Sequence, residues 1–124
     1  MSNYKAPIRD MQFVMRELAG LDEVAQLPGN EEVSIDLVDA ILDEADKFAV
    51  GVLAPLNRVG DQEGAKWKDR EVFTAPGWKE AYTQFTDAGW TALPGDPEYG
   101  GQGLPKLLST AVMEMWKSAN MAFS

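Results

Sequence analysis

The sequence predicts an all-α fold, a helical bundle of about four helices. Four segments carry apolar residues at three- and four-residue spacing, and no segment makes a convincing strand. Most glycines and prolines fall between those segments, where they act as stops. The chain has 124 residues, which fits one domain. A domain of that size buries roughly two-thirds of its unfolded surface, enough for a core but hardly for a deep private active site as well. Residues 1–33 read as an N-terminal extension with one short helix, and residues 34–124 as the helical domain proper.

The first helix lies in "APIRDMQFVMRELAGLD", with Pro7 at a first helical position and Gly20 at the end. Its apolar face is Met11, Val14, Met15 and Leu18. A loop follows at "QLPGNEEV". The second helix is the longest. Ser34 caps it, Asp36 sits in its first turn, and a stripe runs through Val38, Ile41, Leu42, Ala45, Phe48, Ala49, Val52, Leu53 and Leu56. Pro55 removes a hydrogen bond and crowds the Gly51 carbonyl, so a kink is expected there, with Leu56 keeping the period. From Arg58 to Thr74 the pattern dissolves into a long ordered loop, with Val72 and Phe73 in brief extended contact. The third helix, "PGWKEAYTQFTDAG", places Trp78, Ala81, Tyr82 and Phe85 on one face and ends in a left-handed cap at Gly89. The fourth begins near Pro105 and presents Leu107, Leu108, Ala111, Val112, Met115, Trp116, Ala119, Ala122 and Phe123. That stripe is still running at Phe123, as in a chain cut in mid-pattern.

Composition excludes several kinds of chemistry. Asp and Glu number 20 against 11 Lys and Arg, a net charge of −9. Nucleic acid and anionic membranes both demand a basic footprint, so neither is expected as a partner. With no cysteine and no histidine, the chain lacks zinc-thiolate sites, Ser-His-Asp triads and His-ligated metals. The N-terminus is polar, and no stretch approaches the ~20 apolar residues of a membrane span. A soluble, cytoplasmic protein is expected.

The motif candidates are few. "DPEYGGQGLP" holds Gly100, Gly101 and Gly103 just ahead of the fourth helix. It is neither a dinucleotide fingerprint nor a P-loop. Two readings stay open: a tight corner needing positive φ, or an anion site at the helix N-terminus. The acidic residues at 36, 39, 43 and 46 have the spacing of a solvated helix face, and no metal is expected there. Glu114, between Met113 and Met115, reads as a structural carboxylate, paired with a neighbour or at the surface, rather than a buried general base, and no catalytic partner is in sight. Trp78, Met115 and Trp116 read as core or interface, and Trp67 and Trp90 as clamps between loop and bundle.

These residues also carry a resemblance. "DAGWTALPGDPEYGGQGLPKLLSTAVMEMWKSANMAFS" resembles the N-terminal helical domain of the acyl-CoA dehydrogenase family, with Tyr99, Gly100, Gly101 and Gly103 as its loop motif and Glu114 at the family's internal-helix Glu. "FAVGVLAPLNRVGDQEG" is similar to a helix of the same domain. "YKAPIRDMQFVMREL" resembles the extra N-terminal segment of one subgroup, the enzymes similar to 3-methylmercaptopropionyl-CoA dehydrogenase.

The resemblance implies a flavoenzyme that oxidises an acyl-CoA to its trans-2-enoyl-CoA. FAD takes a hydride from the β-carbon while a carboxylate removes the α-proton. It implies a middle β-domain and a C-terminal helical domain that supply the base and most flavin contacts. Residues 34–124 are then the family's N-terminal domain, truncated at its end, and no residue here matches the catalytic base. Asn120, Met121 and Ser124 are the positions expected to line the acyl pocket. The chain alone is expected to be inactive, to hold no FAD, and to self-associate through the surface meant for its missing domains. The alternative is a stand-alone helical interaction module without flavin chemistry.

Overall fold

Capping begins the longest helical stretch where expected: the Ser34 hydroxyl accepts the Leu37 N–H at 3.1 Å, satisfying a donor that the first turn leaves orphaned. In the computed structural model, which describes residues 3–124, the helices are α1 (Ile8–Phe13), α2 (Leu21–Ala25), α3 (Ile35–Phe48), α4 (Ala54–Glu63), α5 (Trp78–Asp87) and α6 (Lys106–Asn120). A small antiparallel hairpin, β1 (Lys66–Lys68) and β2 (Glu71–Phe73), lies between α4 and α5.

Among the described residues, one core cluster joins the helices. Val38, Leu42 and Ala45 of α3 and Ala49 and Leu53 beyond it share a buried cluster with Leu108, Val112, Met115, Trp116 and Ala119 of α6. The helix passes Pro55 by widening. Ala49–Leu53 is a π-helical segment, in which the Ala54 N–H donates to the Ala49 carbonyl five residues back. Pro55 then falls in the first turn of α4, where its missing N–H costs nothing. α4 continues to Glu63 and stops at Gly64, which holds a φ of 62°. The loop expected from Arg58 to Thr74 is thus overturned: it is helix to Glu63, followed by the hairpin.

The hairpin escaped sequence reading for a physical reason. Its strands have three residues each, too few to display a period. Its turn, Asp69-Arg70, takes φ of 53° and 70°, the left-handed pair of a type I′ turn without the usual glycine. Trp67 faces Val72 across it, and every strand residue is exposed. The expected role of Trp67 as a clamp is therefore wrong, for its side chain is 73% exposed.

The N-terminal segment holds two short helices rather than one. A second π segment, Val14–Leu18, follows α1 and redirects its face. Met11 and Met15 are buried, while Val14 and Leu18, expected on the same stripe, are exposed. Gly20 then takes a φ of 68°, and α2 buries Leu21 in the common core. Asp46 accepts the Ala6 N–H at 3.0 Å, and Asp39 is paired with Arg16. The acidic face of α3 is therefore partly a clamp, not the purely solvated surface its spacing suggested.

Beside this clamp, burial raises the Tyr4 phenol above its ordinary pKa, and the Asp46 and Glu114 carboxylates add to the shift. A folded pKa above the unfolded one gives stability that is complete below pH about 10 and disappears as the pH climbs through the raised value. Absorbance titration should show a tyrosinate phase displaced above the ordinary phenol range, and Tyr4→Phe should abolish that late phase. A second expectation concerns Gly60, where an added Cβ would lie 2.3 Å from Cζ2 of Trp78. Gly60→Ala gains helix propensity of up to about 1 kcal/mol, yet the displaced indole should leave a net loss of about 1–3 kcal/mol. Denaturant melts with near-ultraviolet circular dichroism, sensitive to the Trp78–Phe123 ring contact at 5.8 Å, measure both effects.

Candidate functional site

The glycine loop folds into a corner whose backbone is satisfied from within. Asp96 opens a 3₁₀ turn at Pro97–Tyr99, and its carboxylate accepts the Glu98 N–H at 2.9 Å. The Tyr99 and Gly101 N–H groups donate to the Asp96 carbonyl, and that of Gly100 to Pro97. The chain then doubles back beside the turn after α5: Gln102 donates to Ala92, Gly103 to Gly95 and Leu104 to Leu93, at 2.8–2.9 Å. The Gln102 side chain completes the seam by donating to the Gly89 carbonyl at 2.8 Å.

Each glycine of the motif has its own task. Gly100 and Gly103 take φ of 86° and 64°, which residues with a Cβ rarely adopt. Gly101 is needed for close approach, since an added Cβ would sit 2.0 Å from the Gly95 carbonyl carbon and oxygen. Tyr99 extends into solvent at 84% exposure. Every N–H from Glu98 to Leu104 is spent inside the corner. The tight-corner reading of this loop stands, and the loop's own N–H groups are all engaged within it.

The corner launches α6. Pro105 precedes the helix in extended geometry, and Trp116 anchors it at the centre of an aromatic group. Phe48 from α3, Phe85 from α5 and Trp90 from the corner meet that indole edge-to-face at 5.6, 5.7 and 5.2 Å. The expectation that Trp116 and Met115 are core holds, and Trp90 does join loop to bundle. Between the Trp90–Pro94 stretch and α6 lies an open groove of about 660 Å³, reached by Thr91, Met113, Glu114, Lys117 and Met121. Glu114 is exposed there, which agrees with the surface reading of this carboxylate and not with a buried general base.

The three expected lining residues occupy different environments at the end of α6. Asn120 is 1% exposed. Its amide nitrogen donates to the Leu53 carbonyl of the π segment at 3.1 Å, and its amide oxygen accepts the Phe123 N–H at 3.2 Å. This second bond stands where α6 stops, so the helix ends at Asn120 instead of running through Phe123. Met121 is 72% exposed beside the groove. Ser124 is exposed, with its hydroxyl donating to the Met121 carbonyl at 3.2 Å. The role of Asn120 in joining α6 to the π segment had no signal in sequence, because its acceptor is a backbone carbonyl 67 residues away.

The chain belongs to the acyl-CoA dehydrogenase family: residues 37–124 match the family model described as acyl-CoA dehydrogenase, N-terminal domain. It is 39% identical over 120 residues to the 3-methylmercaptopropionyl-CoA dehydrogenase of Ruegeria pomeroyi, covering 97% of this chain and 20% of that protein. It is 27% identical to a broad-specificity linear acyl-CoA dehydrogenase of Mycobacterium tuberculosis, over 98% of this chain and 20% of the relative. The same identity holds for a butyryl-CoA dehydrogenase of Syntrophomonas wolfei, over 95% and 20% respectively. The chain thus spans about a fifth of the length of these curated relatives. Among the described residues, no helix is long and apolar enough to cross a membrane.

Gly101→Ala should lower stability by about 1–3 kcal/mol, because the opposing atoms are backbone and have no rotamer with which to yield. Thermal melts read the loss, and hydrogen exchange should place it at residues 89–104. A melting temperature equal to that of the parent sequence would show that the corner is softer than its contacts imply.

Proposed function

We propose that this chain is the N-terminal helical domain of an FAD-dependent acyl-CoA dehydrogenase that oxidises an acyl-CoA to the trans-2-enoyl-CoA. The match of residues 37–124 to that domain carries the reading. The relatives are named for a methylmercaptopropionyl thioester, for linear acyl groups and for butyryl. What these share is the acyl-CoA thioester, and that is the substrate class we assign. Residues 1–33 are read as an extension to the domain and residues 34–124 as the domain itself.

The N–H groups of the glycine corner are turned inward and offer a flavin's phosphates no donors. In this reading the flavin, which supplies hydride-accepting chemistry when bound, and the catalytic carboxylate both belong to the rest of the polypeptide. This domain contributes shape. Met121 and Ser124 line one wall of the acyl site, and Asn120 positions them by tying the end of α6 to the carbonyl of Leu53.

The test is to compare the gene-encoded polypeptide containing these residues with the 124-residue chain alone. The complete polypeptide should purify with bound flavin and, given an acyl-CoA, reduce an electron-accepting dye while releasing the enoyl-CoA. The isolated chain should do neither, and sedimentation should find it self-associated. Stoichiometric flavin on the isolated chain would overturn the division of labour, and a flavin-free complete polypeptide would overturn the function.

A further inference from the structure

The hairpin and α5 frame an apolar face that the described residues leave uncovered. Trp67 and Val72 are cross-strand partners and project from the same side of the two-stranded sheet. Val72 in turn borders a groove of about 460 Å³ with Trp78, Tyr82 and Phe123. Trp67, Val72 and Tyr82 are 73%, 67% and 59% exposed. A two-stranded hairpin is marginal by itself in water, and large aromatic residues gathered on a surface mark a contact site.

The path of the chain indicates what covers this face. Phe123 lies in its floor, with ring centroids 5.8 Å from Trp78, 6.5 Å from Tyr82 and 5.6 Å from Phe85. Any polypeptide continuing past Ser124 therefore emerges inside the patch. A tethered segment acts at an effective concentration that an independent partner does not reach. The relatives, with about five times the length of this chain, have ample polypeptide to supply it.

We propose that the Trp67–Val72–Tyr82 face is the seat of the segment that directly follows Ser124 in the complete polypeptide, and that the hairpin is ordered by clasping it. The occupant is apolar where it meets Trp67 and Val72, and carries an acidic or hydrogen-bonding group beside Lys79 at the groove edge. The proposal rests on the reading of this chain as one domain of a longer enzyme.

The complete polypeptide, with Trp67 replaced by photoreactive benzoylphenylalanine, should be illuminated and its cross-links mapped by mass spectrometry. Placing the same group at Tyr82 guards against a local disturbance at the hairpin. Cross-links within one molecule to the segment after Ser124 are expected, with several-fold slower hydrogen exchange over residues 66–73 than over unstructured peptides of similar composition. Cross-links to a second copy, to another protein, to a distant part of the same chain or to nothing at all would overturn the proposal, as would a native polypeptide ending at Ser124. Flavin content of the same preparations separates the two readings. Flavin retained without the cross-link sinks the docking alone, whereas the cross-link without flavin sinks the enzymatic reading alone.

Discussion

The structure turns on Trp116. Its indole is the one group touched by aromatic rings from α3, α5 and the turn before the glycine corner at once, each at an edge-to-face angle between 74° and 84°. Such contacts add roughly 0.5–1.5 kcal/mol each beyond the burial of the rings. They also have direction, which burial lacks. Leucines at these places would fill the volume, but the edges of Phe48, Phe85 and Trp90 fix how α6 is rotated about its own axis. The side chains that α6 offers outward, Met113 and Glu114, and Met121 just past its end, take their positions from that rotation.

A widened turn makes the arrangement possible. An α-helix carrying Pro55 in its interior would orphan the Gly51 carbonyl. The π segment at Ala49–Leu53 moves the proline into a first turn and leaves the Leu53 carbonyl able to receive the amide of Asn120. A buried amide in an apolar cluster is costly unless both of its ends find partners, and here both do. The long helix and the last helix are thus joined by a polar bond of fixed length where their apolar faces alone would permit sliding.

Much of this was legible in the residues. The stripe from Val38 to Leu56 and that of α6 named most of the core, because long amphipathic helices repeat their signal many times. The glycine corner was legible as a motif, although its backbone geometry was not. What escaped had short or distant causes. The hairpin strands are too brief for a period, α2 lies in a stretch that reads as a loop, and Asp39 and Asp46 looked solvated because their partners come from a segment far away in sequence. The site was legible in the same uneven way. Met121 and Asn120 are neighbours in the chain, yet one is in solvent and the other sealed in the core. Helical spacing does not resolve that difference at a helix end, where the period breaks down.

The contact between Gly101 and Gly95 has a genetic consequence. The collision foreseen at 101 is with the main chain of residue 95, which no replacement at 95 removes. A Cβ placed on Gly95, by contrast, would come to 3.2 Å of the Gly101 Cα, a tight backbone contact but a milder one. The pair is therefore lopsided under drift: alanine at 95 meets less resistance than alanine at 101, and a lesion at 101 has no intragenic suppressor at its own point of contact. Rescue of such a lesion comes from the original glycine or from stabilising changes elsewhere in the domain that offset the loss.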